Sequence, residues 1–152
     1  MKPDILIVED EPAILNSLEF ILAHAGWETQ SVTNGEAALV AIAKLLPRVV
    51  VLDVMLPRQS GFDVLKTLRA GEKTRDLPVL ILTAKGQQQD RQTARHLGAT
   101  SFVTKPYANT EVVEAVRQLI GASKTNRGLS QNQPTDDQEQ STNETGQNGM
   151  VK

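Results

Sequence analysis

Arg48-Val49-Val50-Val51-Leu52-Asp53 is four consecutive apolar, mostly β-branched residues closed by a carboxylate. Such a run suits a strand covered on both faces, as strands of a parallel sheet are. Two similar runs lie elsewhere in the chain, Ile5-Leu6-Ile7-Val8 and Pro78-Val79-Leu80-Ile81-Leu82. Less apolar ones occur at Glu28–Val32, which is polar and suits an edge strand, and at Ser101–Thr104. Helical patterns fill the intervals. Ile14, Leu15, Leu18, Ile21, Leu22 and Ala25 follow Pro12 at helical spacing and stop at Gly26. Gly35–Leu46 ends at Pro47, and Phe62, Leu65 and Leu68 mark a third helix. Gln87–Leu97 forms a fourth with few apolar residues, and Val112, Val113, Val116, Leu119 and Ile120 make a fifth. Five strand-then-helix units predict an α/β, flavodoxin-like (βα)5 three-layer sandwich with parallel strand order 2-1-3-4-5.

The chain has 152 residues, 16 basic and 18 acidic side chains, and no cysteine. One domain is expected, without disulfides, thiolate metal sites or a cysteine nucleophile. A net charge of −2 offers no overall attraction to nucleic acid or anionic membrane. The start does not read as a signal peptide, and no apolar stretch approaches the roughly 20 residues of a membrane span. A cytoplasmic protein is expected. Composition divides the chain into a domain over 1–122 and a polar tail over 123–152. In the tail only Leu129, Met150 and Val151 are apolar, too few to offset about 1–2 kcal/mol of backbone entropy per ordered residue. The tail is therefore expected to be disordered.

Open parallel sheets collect function at the carboxyl ends of their strands. Here those ends carry Glu9-Asp10-Glu11, Asp53, Thr83 and Lys105-Pro106, whereas the polar edge strand ends without charge. Two carboxylates 4 Å apart repel by about 4 kcal/mol at an effective dielectric of 20, so the acidic cluster calls for a cation. Oxygen-only ligands favour Mg²⁺, with Mn²⁺ as the alternative. This set suits phosphoryl transfer to a carboxylate. Asp53 is the nucleophile, the cation is held by Asp10 and Asp53 with Glu9 acting through water, Lys105 pairs with the phosphate, and Thr83 donates a hydrogen bond.

These residues carry a family resemblance. Ile-Leu-Ile-Val-Glu9-Asp10, Val-Val-Val-Leu-Asp53-Val-Met-Leu-Pro57, Gly61, Leu-Thr83-Ala84 and Lys105-Pro106 are matched in order, with Thr83 30 and Lys105 52 residues after Asp53. Residues 3–121, about four-fifths of the chain, resemble the receiver domain of two-component response regulators. The resemblance implies Asp53 as phosphoacceptor, Glu9 and Asp10 as the acidic pair, and the Met55 backbone carbonyl as a metal ligand. It also implies Thr83 and Phe102 as switch positions, whose rearrangement alters the face made by the fourth helix, fifth strand and fifth helix. A sensor histidine kinase or histidine phosphotransfer protein would donate the phosphoryl group, and an unidentified output protein would read the switched face. Direct DNA binding is not expected. Thr100 and Ser101 stand where relatives that dimerise on DNA often carry an acidic pair, and no helix-turn-helix follows Gly121. The domain would act as a phospho-switch rather than a metabolic enzyme.

Two other readings keep the same fold: a phosphate sink without an output partner, and a receiver-like scaffold that is never phosphorylated. A small hydrolase would need a second acid two places after Asp53, where Met55 stands. Met55 and Lys85 flank the expected path of hydrolytic water and predict slow autodephosphorylation. Arg91, Arg95 and His96 read as a solvated helix face in preference to a partner-binding stripe, and His24 and His96 as surface residues. Gly71-Glu72-Lys73-Thr74 lacks the upstream glycine of a phosphate-binding loop.

Overall fold

A computed structural model describes residues 3–84 and 88–128, with side chains to 121. The elements alternate strictly. They are β1 (Ile5–Val8), α1 (Pro12–His24), β2 (Thr29–Val32), α2 (Gly35–Leu45) and β3 (Val49–Asp53), followed by α3 (Gly61–Ala70), β4 (Val79–Thr83), α4 (Gln88–His96), β5 (Ser101–Thr104) and α5 (Asn109–Gly128). All neighbouring strands pair in parallel, in the order β2-β1-β3-β4-β5. This is the fold and the order that the sequence pattern predicts.

Alternation along the strands builds two cores. Ile5, Ile7, Val49, Val51, Leu80 and Leu82 pack with α1 and α5, through residues such as Leu18, Leu22, Val112 and Val116. Leu6, Val8, Val50, Leu52, Val79 and Ile81 pack with Ala38 and Ile42 of α2, Val64, Leu65 and Leu68 of α3, and Ala94 of α4. Every residue of β1, β3 and β4 is buried, whereas none of polar β2, at the sheet edge, is.

Local chemistry sets the helix ends. Pro12 opens α1, and Gly26 follows its last turn with a positive φ of 107°. The Asn34 side chain accepts the Ala37 N–H at 2.8 Å to start α2, and a capping box of Ser60 and Asp63 starts α3. Contacts divide the chain at Ile120, and the helical backbone of α5 runs on to Gly128. It thus extends past the composition boundary at 122 into the segment expected to be disordered. Extending an existing helix avoids the cost of nucleating one, so Ser123–Gly128 can be helical without apolar residues. The remainder of the expected tail, 129–152, lies outside the described residues, as does Lys85. Among the described residues no helix is long and apolar enough to cross a membrane.

Candidate phosphoryl-acceptor site

Register brings the chemistry together. Val8 pairs with Leu52, which places Glu9 and Asp53 side by side at the ends of β1 and β3. The Glu9 N–H still bonds to the Val32 carbonyl at 3.1 Å, so the ladder to β2 extends to the first acidic residue. On the other side of β4, the Lys105 N–H donates to the Thr83 carbonyl at 2.7 Å. That bond ties the lysine's backbone to the end of β4.

Asp53 is 2% exposed and both its oxygens are engaged. Oδ1 accepts the Met55 N–H at 3.2 Å, and Oδ2 accepts from Lys105 Nζ at 3.2 Å. Glu9 is 1% exposed; its Oε2 accepts the Glu11 N–H at 3.1 Å. Its Oε1 is buried without a hydrogen-bond partner, with Lys105 Nζ 3.8 Å away. Burial pushes the Glu9 carboxyl up to about 7; the Glu11 N–H and Lys105 oppose the rise, and the Asp53 charge adds to it. Asp10 is exposed, and carboxylate oxygens of Glu9, Asp10 and Asp53 lie within 4.8 Å of one another. Lys105 thus meets two buried acids, and a third stands beside them. The orphaned buried oxygen and the all-oxygen donor set fit a hard divalent cation.

Thr83 is fully buried, and its hydroxyl lies 3.4 Å from that of Thr104, its register partner on β5. Met55 leaves β3 with its N–H on Asp53 and a side chain 68% exposed. Phe102 is partly buried against the α2–α3–α4 core.

Three features were not apparent from the sequence pattern. Gly61, quoted only as a family match, opens α3 directly against the Asp53 backbone: its N–H donates to the Val54 carbonyl at 2.9 Å, and a Cβ there would collide with the Asp53 carbonyl oxygen. Tyr107, after Pro106, is half-buried, and its phenol is pushed up by burial and by the charges of Glu9 and Asp53. The arginines of α4 are not simply solvated: Arg91 and Arg95 hold their guanidinium carbons 5.9 and 5.3 Å from the Phe102 ring centroid. A fixed offset after Asp53 could have flagged Gly61; the spacing of the arginines singled them out as a helix face but not the ring that they meet. His24 and His96 are surface residues as expected, His24 stacking on Phe20 at 6.0 Å.

The family model of the response regulator receiver domain matches residues 5–117. Over 118 residues the chain is 40% identical to the DNA-binding dual master transcriptional regulator RpaA of Synechocystis, covering 78% of this chain and 49% of that protein. Over 116 residues it is 41% identical to the probable transcriptional regulatory protein TcrX of Mycobacterium tuberculosis, covering 76% and 49%. The chain therefore spans about half the length of these curated relatives. Among solved structures, a putative response regulator from Chloroflexus aurantiacus is similar with a TM-score of 0.76 at 33% identity, over 80% of this chain and 99% of that one. The chemotaxis response regulator CheY4 of Vibrio cholerae is similar with a TM-score of 0.72 at 25% identity, over 78% and 99%.

Proposed function

Since the chain belongs to the family of response regulator receiver domains, we propose that it is a switch phosphorylated on Asp53 by a histidine kinase or histidine phosphotransfer protein. The observation that carries this reading is the buried Asp53 carboxylate, 3.2 Å from Lys105 Nζ and within 4.8 Å of two further acids. Asp53 attacks the phosphorus of a donor phosphohistidine. The new P–O bond forms as the P–N bond breaks, and the departing imidazole takes up a proton. Lys105 is already placed to pair with the negative charge delivered to Asp53. Thr83, at the end of the neighbouring strand, exchanges its Thr104 partner for a phosphoryl oxygen.

Mg²⁺, or Mn²⁺ in its place, would be held by Glu9, Asp10, Asp53 and the Met55 carbonyl, and when bound it neutralises phosphoryl oxygens. The Glu9 Oε1, buried and otherwise unpartnered, supports its place in that set. Output follows from Thr83 and Phe102, which link the site to the face of α4, β5 and α5, where an output protein would bind. RpaA is a DNA-binding regulator by its name and the match covers 49% of it; for the receiver domain itself we propose a protein partner.

Intact mass after incubation with acetyl phosphate and Mg²⁺ tests the reading. One phosphoryl group should be gained, and it should be absent in Asp53→Ala and after chelation. No gain, either from acetyl phosphate or from phosphohistidine proteins, would favour a scaffold that is never phosphorylated.

A further inference from the structure

Two guanidinium groups, from Arg91 and Arg95, converge on the single ring of Phe102, at 5.9 and 5.3 Å from its centroid. They stand four residues apart on α4, and Ala94 between them is buried in the core that also contacts Phe102. Among the described residues neither arginine has a carboxylate within ion-pair distance, although Asp90 adjoins Arg91 in sequence. Two like charges repel, so their meeting at one ring needs a common attraction, and the negative face of the aromatic supplies it.

The ring connects to the acceptor site through a row of side chains. Phe102 and Thr104 are alternate residues of β5 and project to the same face of the sheet. Thr104 lies opposite Thr83, their hydroxyls 3.4 Å apart, and Thr83 ends the strand beside Asp53. A Thr83 hydroxyl that turns to a phosphoryl group leaves Thr104 and changes the space beside Phe102. Any displacement of the ring costs its contacts with the two arginines.

We propose that Arg91 and Arg95 are positioning residues for the phosphorylation of Asp53: acting through Phe102, they hold the resting arrangement and set how readily the acceptor is phosphorylated. The inference rests on the reading of the chain as a phospho-switch. Interactions made only in the resting arrangement oppose phosphorylation by the factor with which they favour that arrangement. Arginine is suited to the task because its planar cation stacks on a ring while remaining hydrated at its edge.

The test uses the full chain with its three phenylalanines replaced by 4-fluorophenylalanine, the Phe102 resonance being assigned with Phe102→Leu. In the double variant Arg91→Gln/Arg95→Gln with Mg²⁺ alone, the Phe102 fluorine resonance should move toward the position it takes in the parent protein with beryllofluoride. The rate of phosphorylation by acetyl phosphate, read by intact mass, should rise about 3- to 30-fold. Arg91→Lys/Arg95→Lys keeps the charges and should fall between the two. Adding the arginine changes to Phe102→Leu should alter the rate no further. A rate gain that persists without the ring, or a resonance and rate equal to the parent's, would overturn the inference. A parent protein that takes a phosphoryl group neither from acetyl phosphate nor from phosphohistidine donors would instead overturn the proposed function, and the inference with it.

Discussion

Lys105 Nζ lies 3.2 Å from Asp53 Oδ2, although 52 residues separate the two in sequence. The parallel topology accounts for the meeting, because β3 and β5 flank β4 and both end at the same edge of the sheet. The lysine is the one cation within ion-pair distance of the buried acids among the described residues. Lys105→Met therefore leaves Asp53 and Glu9 facing each other uncompensated. In the absence of divalent cations we expect a loss of about 1–3 kcal/mol in urea denaturation, below the cost for a fully buried pair because the Lys105 side chain is 25% exposed. Saturating Mg²⁺ should recover much of that loss, since a cation bound to the folded state alone stabilises it by mass action. Phosphorylation should remain slow even then, because the charge that faces the incoming phosphoryl group is gone. Equal losses with and without Mg²⁺ would show that the lysine's role is packing.

Glu9 gives the site a pH dependence of definite sign. Its carboxyl is raised to about 7 in the folded chain, chiefly by burial, from an ordinary value of 4.5. Its contribution to metal-free stability is complete below about 4.5 and is lost as pH rises through about 7. Metal binding runs in the opposite direction, because a cation needs the carboxylate and must displace its proton. Apparent Mg²⁺ affinity should rise by up to about tenfold per pH unit below 7 and level off above it. Calorimetric titrations in buffers of different ionisation enthalpy should detect proton release near pH 6 that is lost in Glu9→Gln. A flat affinity from pH 5.5 to 8 would contradict this.

How much of this was readable from the sequence depends on the distance over which each feature is determined. The apolar runs of β1, β3 and β4 announce themselves because both faces are covered, and each is followed directly by its functional residue. Once the strands are parallel and ordered, Glu9, Asp10, Asp53, Thr83 and Lys105 must share an edge. The arginine contacts with Phe102 were not readable, because they depend on the rotation of α4 about its axis. Its described span has one buried residue, Ala94, to fix that rotation, and one small apolar residue leaves a weak pattern. The end of α5 was not readable for a related reason: composition measures what a segment can bury, whereas a helix already formed needs little to continue.

Gly61→Ala tests how closely α3 is seated against the acceptor. A Cβ at this position would meet the carbonyl of Asp53 and come within 3.0 Å of the Val54 Cα. Both are backbone atoms and neither can rotate away. Relief requires a shift of the β3–α3 loop or of the start of α3. Overpacking of this kind costs about 1–3 kcal/mol. Because the loop also carries the Met55 N–H bonded to Asp53, Mg²⁺ affinity and phosphorylation rate should fall together with thermal stability. A variant as stable as the parent and equally quick to phosphorylate would mean that the loop yields easily.

On the proposed function, the Met55 side chain limits access of solvent water to the phosphoryl group. Its N–H is bonded to Asp53 Oδ1 and its side chain is 68% exposed, so it lies at the mouth of the site. Hydrolysis of an aspartyl phosphate needs a water held in line with the breaking P–O bond, and a side chain that accepts its hydrogen bonds places it there. A thioether is a weak acceptor and an apolar chain excludes water, so Met55 does neither. Once phosphodonor is removed, the phosphorylated mass should decay over many minutes rather than seconds at neutral pH with Mg²⁺. Met55→Asn supplies an amide that can orient the water without changing the backbone bond to Asp53, and should shorten the lifetime by about tenfold. Because the substitution leaves the acceptor and Lys105 in place, the rate of phosphorylation should change much less. A phosphoryl lifetime of only seconds in the parent protein would show that another group orients the water and that Met55 does not limit its approach.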